Sequence, residues 1–260
     1  MTELTRSQKK DLKELQTKKG RREQGLFMAE GVSLLEESLR FKIFPERIYY
    51  CEALMNPKGQ RLISKFRRGK SELIMLAAQD LNQISGTETS QGLLGIFKIP
   101  KFSLDRMIKP QSRVLVLDNI SDPGNAGTLI RSAAAFGFDL AAVTNYSVEP
   151  YNPKVVRSSA GTIFAIPVMV VDVEDLIQIK RQHRMPLITA DINGEGLKSS
   201  LRRLDRRRGL LIAVGSEASG ISKKLNMAAD LKVRIKHEGR VESLNAAVAG
   251  SIIMKEVYEL

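Results

Sequence analysis

Arg113–Leu117 reads RVLVL, Asp118–Gly127 reads DNISDPGNAG, and Thr128–Phe136 reads TLIRSAAAF. The first piece is a short apolar, β-branched run of the kind that parallel sheets bury on both faces. The second is rich in turn formers, and the third has the small apolar residues of a packed helix. A turn placed between strand and helix presents its side chains at the carboxyl edge of a sheet, where α/β folds bind ligands. Asp, Asn and Gly also suit an ordinary helix cap. Capping does not account for Arg131, which stands in an otherwise small and apolar segment and points to an anionic partner.

Outward from this stretch, runs of the same character recur at Leu140–Thr144, Val168–Asp172, Leu187–Ala190, Leu210–Gly215 and Leu231–Ile235. Helical stretches separate most of them. The alternation predicts an α/β fold with a parallel sheet covered by helices. The segment Ala246–Leu260 is apolar nearly all round, so it is expected to be buried or pressed against a second subunit. Gly250 inside it costs about 1 kcal/mol relative to Ala, which is tolerable if another backbone packs closely there.

Upstream, residues 3–19 are rich in Lys and hold Leu4, Leu12 and Leu15 at helical intervals. They read as a basic amphipathic helix whose polar face either touches phosphate or is simply solvated. A helix over Glu30–Arg40, a strand over Arg47–Cys51, a helix after Pro57, and strands over Glu72–Leu76 and Gly92–Ile99 are expected next. This order suggests a compact α/β domain. Between Pro100 and Ser112 the apolar periodicity fades, with Pro100 and Pro110 as punctuation. The expected organisation is a first domain over residues 1–100, a linker over 101–112 and a second domain over 113–260.

The chain has 260 residues, 27% of them charged and 43% hydrophobic, a globular balance that excludes disorder and fibrous repeats. Lys plus Arg is 41 against 29 for Asp plus Glu, a formal net charge of +12 that suits a nucleic-acid partner. No apolar run approaches the length of a membrane span, and the first residues carry charges where a secretory leader has an apolar stretch, so the cytoplasm is expected. Cys51 stands alone and His183 and His237 are the two histidines, so neither a disulfide nor a zinc site is expected. No GxGxxG follows a strand, and Gly69-Lys70-Ser71 has Ser64 where a Walker loop needs glycine, which argues against dinucleotide and P-loop chemistry.

The glycines gather instead at other strand ends. Leu210–Val214 leads into Gly215-Ser216-Glu217-Ala218-Ser219-Gly220-Ile221-Ser222, where glycines let backbone approach a ligand and a helix start offers free N–H groups. A third segment runs VRIKHEGRVESLN over residues 233–245 and ends at the apolar last helix. The densest basic cluster, RRLDRRR over residues 202–208, is either a phosphate contact or a solvated loop.

Together, DNISDPGNAGTLIRSAAAFG, GSEASGIS and RVESLNAAVA resemble, in order, the three signature motifs of the SpoU/TrmH family of RNA ribose 2′-O-methyltransferases of the SPOUT superfamily. Arg157-Ser158-Ser159-Ala160-Gly161 is similar to a segment common in the family. RREQGLFMAEGVSLLEESL resembles the opening of its small L30e-like RNA-binding domain. One departure stands out: Lys236 and His237 occupy positions where family members often carry Pro and Met beside the methyl-donor pocket.

The resemblance implies S-adenosylmethionine-dependent methylation of a ribose 2′-hydroxyl in structured RNA, with 23S ribosomal RNA favoured. The alternatives are transfer RNA as substrate, or a non-enzymatic RNA-binding protein that kept the fold. It further implies a deep trefoil knot in the second domain and a homodimer through the knotted domains, with the active site at the dimer interface. Carried over by position, Gly215, Gly220, Ile235 and Leu244 would surround the donor. Glu217 would order the second-motif loop and the RNA-side pocket. Arg131 would be the catalytic group, with Asn125 and Asn245 positioning and Ser243 supporting the loop. A guanidinium is an awkward general base, so Arg131 acts either as a proton acceptor helped by substrate phosphate or as a fixed cation beside the developing alkoxide. Arg21, Arg22 and Arg157 are the candidate RNA contacts, gripping phosphate in a salt-dependent way.

Overall fold

A computed structural model describes residues 3–87, 89–205, 207–216 and 218–260. The chain divides into two compact units, Met1–Pro100 with Tyr151–Phe164, and Lys101–Pro150 with Ala165–Leu260.

The first unit opens with helices α1 (Arg6–Glu14) and α2 (Lys18–Gln24), where one helix was expected. The break has a local cause. The Thr17 side chain accepts the Gly20 N–H at 3.0 Å and starts a new helix, and Gly20 has no room for a Cβ, which would lie 2.2 Å from the Glu14 carbonyl. Leu4, Leu12 and Leu15 are buried with Leu81 and Ile84, so the apolar stripe faces the core as its spacing predicts. Next come β1 (Leu26–Glu30), α3 (Val32–Arg40), β2 (Arg47–Tyr50), α4 (Pro57–Phe66), β3 (Glu72–Met75), α5 (Ala78–Ile84) and β4 (Leu93–Lys98). Strand β1 is absent from the sequence reading, which started a helix at Glu30. Gly25 and Gly31, at φ +65° and +107°, bracket the strand and allow the chain to turn at both ends. The sheet order is β1-β4-β2-β3, antiparallel except for the β2–β3 pair.

The second unit begins with α6 (Leu104–Met107), and Ile108 after it is buried in that unit's core. The stretch expected to be a linker is thus anchored to this unit's core by Leu104, Met107 and Ile108, while most of its other residues are exposed. Pro110 accepts the Gly209 N–H at 2.7 Å and fixes its end. Strand β5 (Arg113–Leu117), helix α7 (Pro123–Ala135) and β6 (Leu140–Thr144) follow the opening motif. After α8 (Pro153–Ser158) come β7 (Val168–Val171), α9 (Val173–His183), β8 (Leu187–Gly196), α10 (Leu197–Leu201), β9 (Leu210–Val214), α11 (Lys223–Ala228), β10 (Leu231–Arg234) and α12 (Ala246–Tyr258). The six strands are all parallel, in the order β10-β8-β9-β5-β6-β7. Strands β5, β6 and β9 are buried along nearly their whole length, as runs such as RVLVL require.

Helix α8 and the following 3₁₀ turn, Thr162–Phe164, belong to the first unit although the sequence reading assigned them to the second domain. Aromatic packing explains this. Tyr151 sits 4.8 Å from Phe27 and Phe164 sits 4.9 Å from Phe97, measured between ring centroids. Gly250 of α12 is also explained, though by side chains instead of a backbone. A Cβ there would lie 2.4 Å from Leu129 and 2.9 Å from Val214, so α12 packs directly on α7 and β9. Among the described residues, no helix is long and apolar enough to cross a membrane.

Candidate active site

A parallel sheet sends the loop after every strand to the same edge, and the second unit uses that edge. A cavity of about 710 Å³ opens there. It is walled by the middle of β8 at Ala190, Asp191 and Ile192, by the loop after β9, and by the segment after β10 up to Leu244.

The loop after β9 is shaped by its own serines and glycines. The Gly220 N–H donates to the Ser216 carbonyl at 2.9 Å, and the Ser219 N–H donates to Ser216 Oγ at 3.1 Å. Gly215 must be glycine, because a Cβ would lie 2.3 Å from the Gly220 backbone. The wall is mixed in character. Val214, Ile221, Val233, Ile235 and Leu244 supply apolar surface, and Ser216, Ser219, Asn226 and Ser243 supply hydrogen-bonding groups. Asp191, Glu242, Arg234, Lys236 and His237 line it as well. His237 Nδ1 accepts the Gly239 N–H at 3.3 Å.

Two helix caps meet beside this edge. Asp122 caps α7 by accepting the Asn125 N–H at 2.7 Å. Asn245 caps α12 by accepting the Ala247 and Val248 N–H groups at 3.0 and 3.3 Å. The Asn245 Nδ2 then donates to Asn125 Oδ1 at 2.9 Å, joining residues 120 positions apart. Further along the same helix pair, the hydroxyls of Ser132 and Ser251 lie 2.7 Å apart.

The residues singled out from sequence fall into distinct groups. Gly215, Gly220, Ile235, Ser243 and Leu244 line the cavity together, as do Lys236 and His237. Asn125 and Asn245 pair with each other. Arg131 is exposed on α7, is not among the cavity-lining residues, and makes no ion pair among the described residues. The anionic partner inferred for it is therefore not supplied within this chain's described residues. Glu217 lies outside the described residues. Arg21 needs correction as a candidate RNA contact. It is only 2% exposed and donates to the Leu15 carbonyl at 2.8 Å, so it is a buried structural arginine that pins the α1–α2 turn. Arg22 is exposed, whereas Arg157 is half-buried in the first unit beside Glu30 and Gly86.

Sequence reasoning passed over Asp118, Asn119 and Thr144, which organise the cavity's far wall, and Asp191 and Ile192, which line it. The signal for Asp118 was its place: a carboxylate directly after an apolar parallel strand, where solvent does not reach.

The model of the SpoU rRNA methylase family matches residues 112–255. The chain belongs to that family. Residues 7–95 match a second model, the MRM3-like substrate binding domain. The 23S rRNA (guanosine(2553)-2′-O)-methyltransferase RlmP of Bacillus subtilis is 28% identical, with 99% of this chain and 98% of that protein covered. The 23S rRNA (uridine(2479)-2′-O)-methyltransferase of Streptomyces viridochromogenes is 29% identical over 76% of this chain and 72% of its own length. Among solved structures, the AdoMet-bound rRNA methyltransferase from Sinorhizobium meliloti superposes with a TM-score of 0.85 at 28% identity, covering 100% of this chain and 97% of that one.

Proposed function

We propose that the protein transfers a methyl group from S-adenosylmethionine to a ribose 2′-hydroxyl of RNA, with 23S ribosomal RNA as the substrate class. The observation that carries this reading is convergence. Three segments far apart in the sequence come together at one edge of the parallel sheet, through the Asn125–Asn245 bond and the shared cavity wall. The S. meliloti neighbour is described as AdoMet-bound, and the two methyltransferase relatives act on 23S rRNA.

The cavity suits the donor. Gly215 and Gly220 leave backbone exposed where side chains would close the space, and Ile221, Ile235 and Leu244 offer an apolar bed for an adenine ring. When bound, S-adenosylmethionine supplies an electrophilic methyl group on its sulfonium. The protein's part is to align the ribose oxygen with that methyl and to manage the charge that develops as the hydroxyl loses its proton. Arg131 is the group we assign to that charge. It would act as a cation beside the forming alkoxide, with the hydroxyl proton passing to a substrate phosphate or to water. Asn125 and Asn245 hold the starts of α7 and α12 together, and Ser243 supports the loop that precedes α12.

Arg131 reaches a cavity in this scheme through a homodimer in which a second copy packs on the α7–α12 face. Val248 and Tyr258 support such a contact, being apolar residues 49% and 58% exposed on a helix whose opposite face is buried. A trefoil knot in the second unit and a cytoplasmic location belong to the same reading. The exposed lysines and arginines of α1 and α2, Arg22 among them, would hold RNA phosphate.

The test is a transcriptome-wide map of ribose 2′-O-methylation in cells with and without the protein, paired with calorimetric titration of S-adenosylmethionine. Loss of one ribosomal RNA methylation and a measurable donor affinity are expected. Loss confined to transfer RNA would change the substrate class, and an unchanged map with no donor binding would sink the enzyme reading in favour of a non-enzymatic RNA-binding protein.

A further inference from the structure

The loop after β9 contributes Gly215, Ser216, Ser219, Gly220 and Ile221 to the cavity wall. It closes on itself through Ser216 and has to be held against the sheet by something else. That something is a carboxylate. Asp118, directly after β5, is fully buried. Its Oδ2 accepts the Ser222 N–H at 2.6 Å, and its Oδ1 accepts the Thr144 hydroxyl, at the end of β6, at 2.9 Å. The next residue, Asn119, sits at φ +58° and donates its Nδ2 to the Gly220 carbonyl at 3.3 Å. Two of these bonds, from Asp118 and from Asn119, reach the loop from outside it, and the Thr144 hydroxyl holds Asp118 in place.

Packing gives no reason for a carboxylate here. Burying a charged group costs stability, and an aliphatic side chain would fill the end of an apolar strand at no such cost. What Asp118 supplies instead is two acceptor sites in fixed directions, one on the loop and one on the neighbouring strand. Asn119 adds a donor from a backbone conformation that few residues adopt readily. We propose that Asp118 is a positioning residue that sets the shape of the donor loop, with Asn119 as its second strap, so that donor affinity depends on two side chains that need not touch the donor. This inference rests on the function proposed above and extends it to a residue outside the cavity wall.

The experiment titrates S-adenosylmethionine into the full-length protein by calorimetry and measures kcat at saturating donor, for wild type, Asp118→Ala, Asp118→Asn and Asn119→Gly. Asp118→Ala loses a charge-assisted bond and leaves a loop N–H unpaired, so donor affinity should fall by about tenfold or more. kcat at saturating donor should stay near the wild-type value. Asp118→Asn keeps one acceptor and should recover part of the affinity. Asn119→Gly removes one bond, for a loss of roughly fivefold. It should leave the melting temperature close to wild type, because glycine adopts positive φ without strain. That variant decides the matter if Asp118→Ala fails to fold. Wild-type donor affinity in a folded Asp118→Ala, or in Asn119→Gly where Asp118→Ala does not fold, or a loss confined to kcat, overturns the inference alone. Absence of donor binding by wild type overturns the proposed function and this inference with it.

Discussion

The two sheets of this protein make opposite use of their strand directions. In the first unit β1, β4 and β2 run antiparallel, so consecutive strand ends fall on both edges, and Phe27, Phe97, Tyr151 and Phe164 form a closed aromatic cluster. In the second unit all six strands are parallel, every following loop emerges at one edge, and the large cavity lies there. Their buried polar groups differ in the same way. Arg21 is spent on a carbonyl of a helix turn, whereas Asp118 and Thr144 stand at adjacent strand ends and hold a loop that lines the cavity. Strand polarity thus separates a unit organised for packing from one organised around an open site, even where both bury polar side chains.

The sharpest break in this contrast comes from Arg131. Arg131→Ala should lower turnover by about 10²–10³-fold, the usual cost of removing a group that stabilises developing negative charge. Calorimetric donor affinity should change far less, since Arg131 is assigned to the ribose oxygen and does not line this chain's own cavity. Near-wild-type turnover in this variant would remove Arg131 from the chemistry and leave the second unit's edge as a binding site only. A second variant tests how the arginine reaches that edge. Val248→Glu puts a charge on the exposed flank of α12 while keeping a residue suited to a helix first turn. Sedimentation should show monomer in place of dimer, and turnover should fall with the dimer fraction. A fully active monomer would place Arg131's working cavity within its own chain.

Much of this contrast was legible in the sequence, and the gaps have physical causes. RVLVL and its five companion runs announce a buried parallel sheet, because a strand covered on both faces needs no polar alternation. β1 was lost because LFMAE is equally compatible with a helix, and the deciding information lies in the two positive-φ glycines beside it. Residues 151–164 were assigned to the wrong neighbour because aromatic contacts between Phe27 and Tyr151 and between Phe97 and Phe164, far apart in the chain, leave no local pattern. At the site, Gly215, Ile235, Ser243 and Leu244 were recognisable as parts of motifs. Asp118 was quoted within a motif and passed over, since its partners, Thr144 and Ser222, become neighbours only when β5, β6 and β9 align. Arg21 shows the converse failure. A basic run looks like a phosphate-binding face, and only burial reveals which of its members is facing inward.

That failure defines the next test, on the first unit. Arg21→Ala removes a buried side chain and leaves the Leu15 carbonyl without its donor. Losing packing and a charge-assisted hydrogen bond together should cost about 2–3 kcal/mol in urea unfolding. Donor affinity should be unchanged. If stability stays at the wild-type level while RNA binding weakens, Arg21 is a surface contact after all.

Arg22, its neighbour, should behave in the opposite way and with the smallest effect of the set. It is exposed on α2, where a single phosphate contact in a mobile ionic atmosphere is screened by salt. Arg22→Ala should leave the unfolding midpoint unchanged. It should reduce the slope of log affinity for RNA against log salt by about 0.7–0.9, the counterion release of one phosphate. The slope reads more than a single affinity does, because a structural role would shift affinity at every salt concentration alike. An unchanged slope would move the RNA-binding face away from α2, leaving other exposed cations of the two units to carry the phosphate contacts.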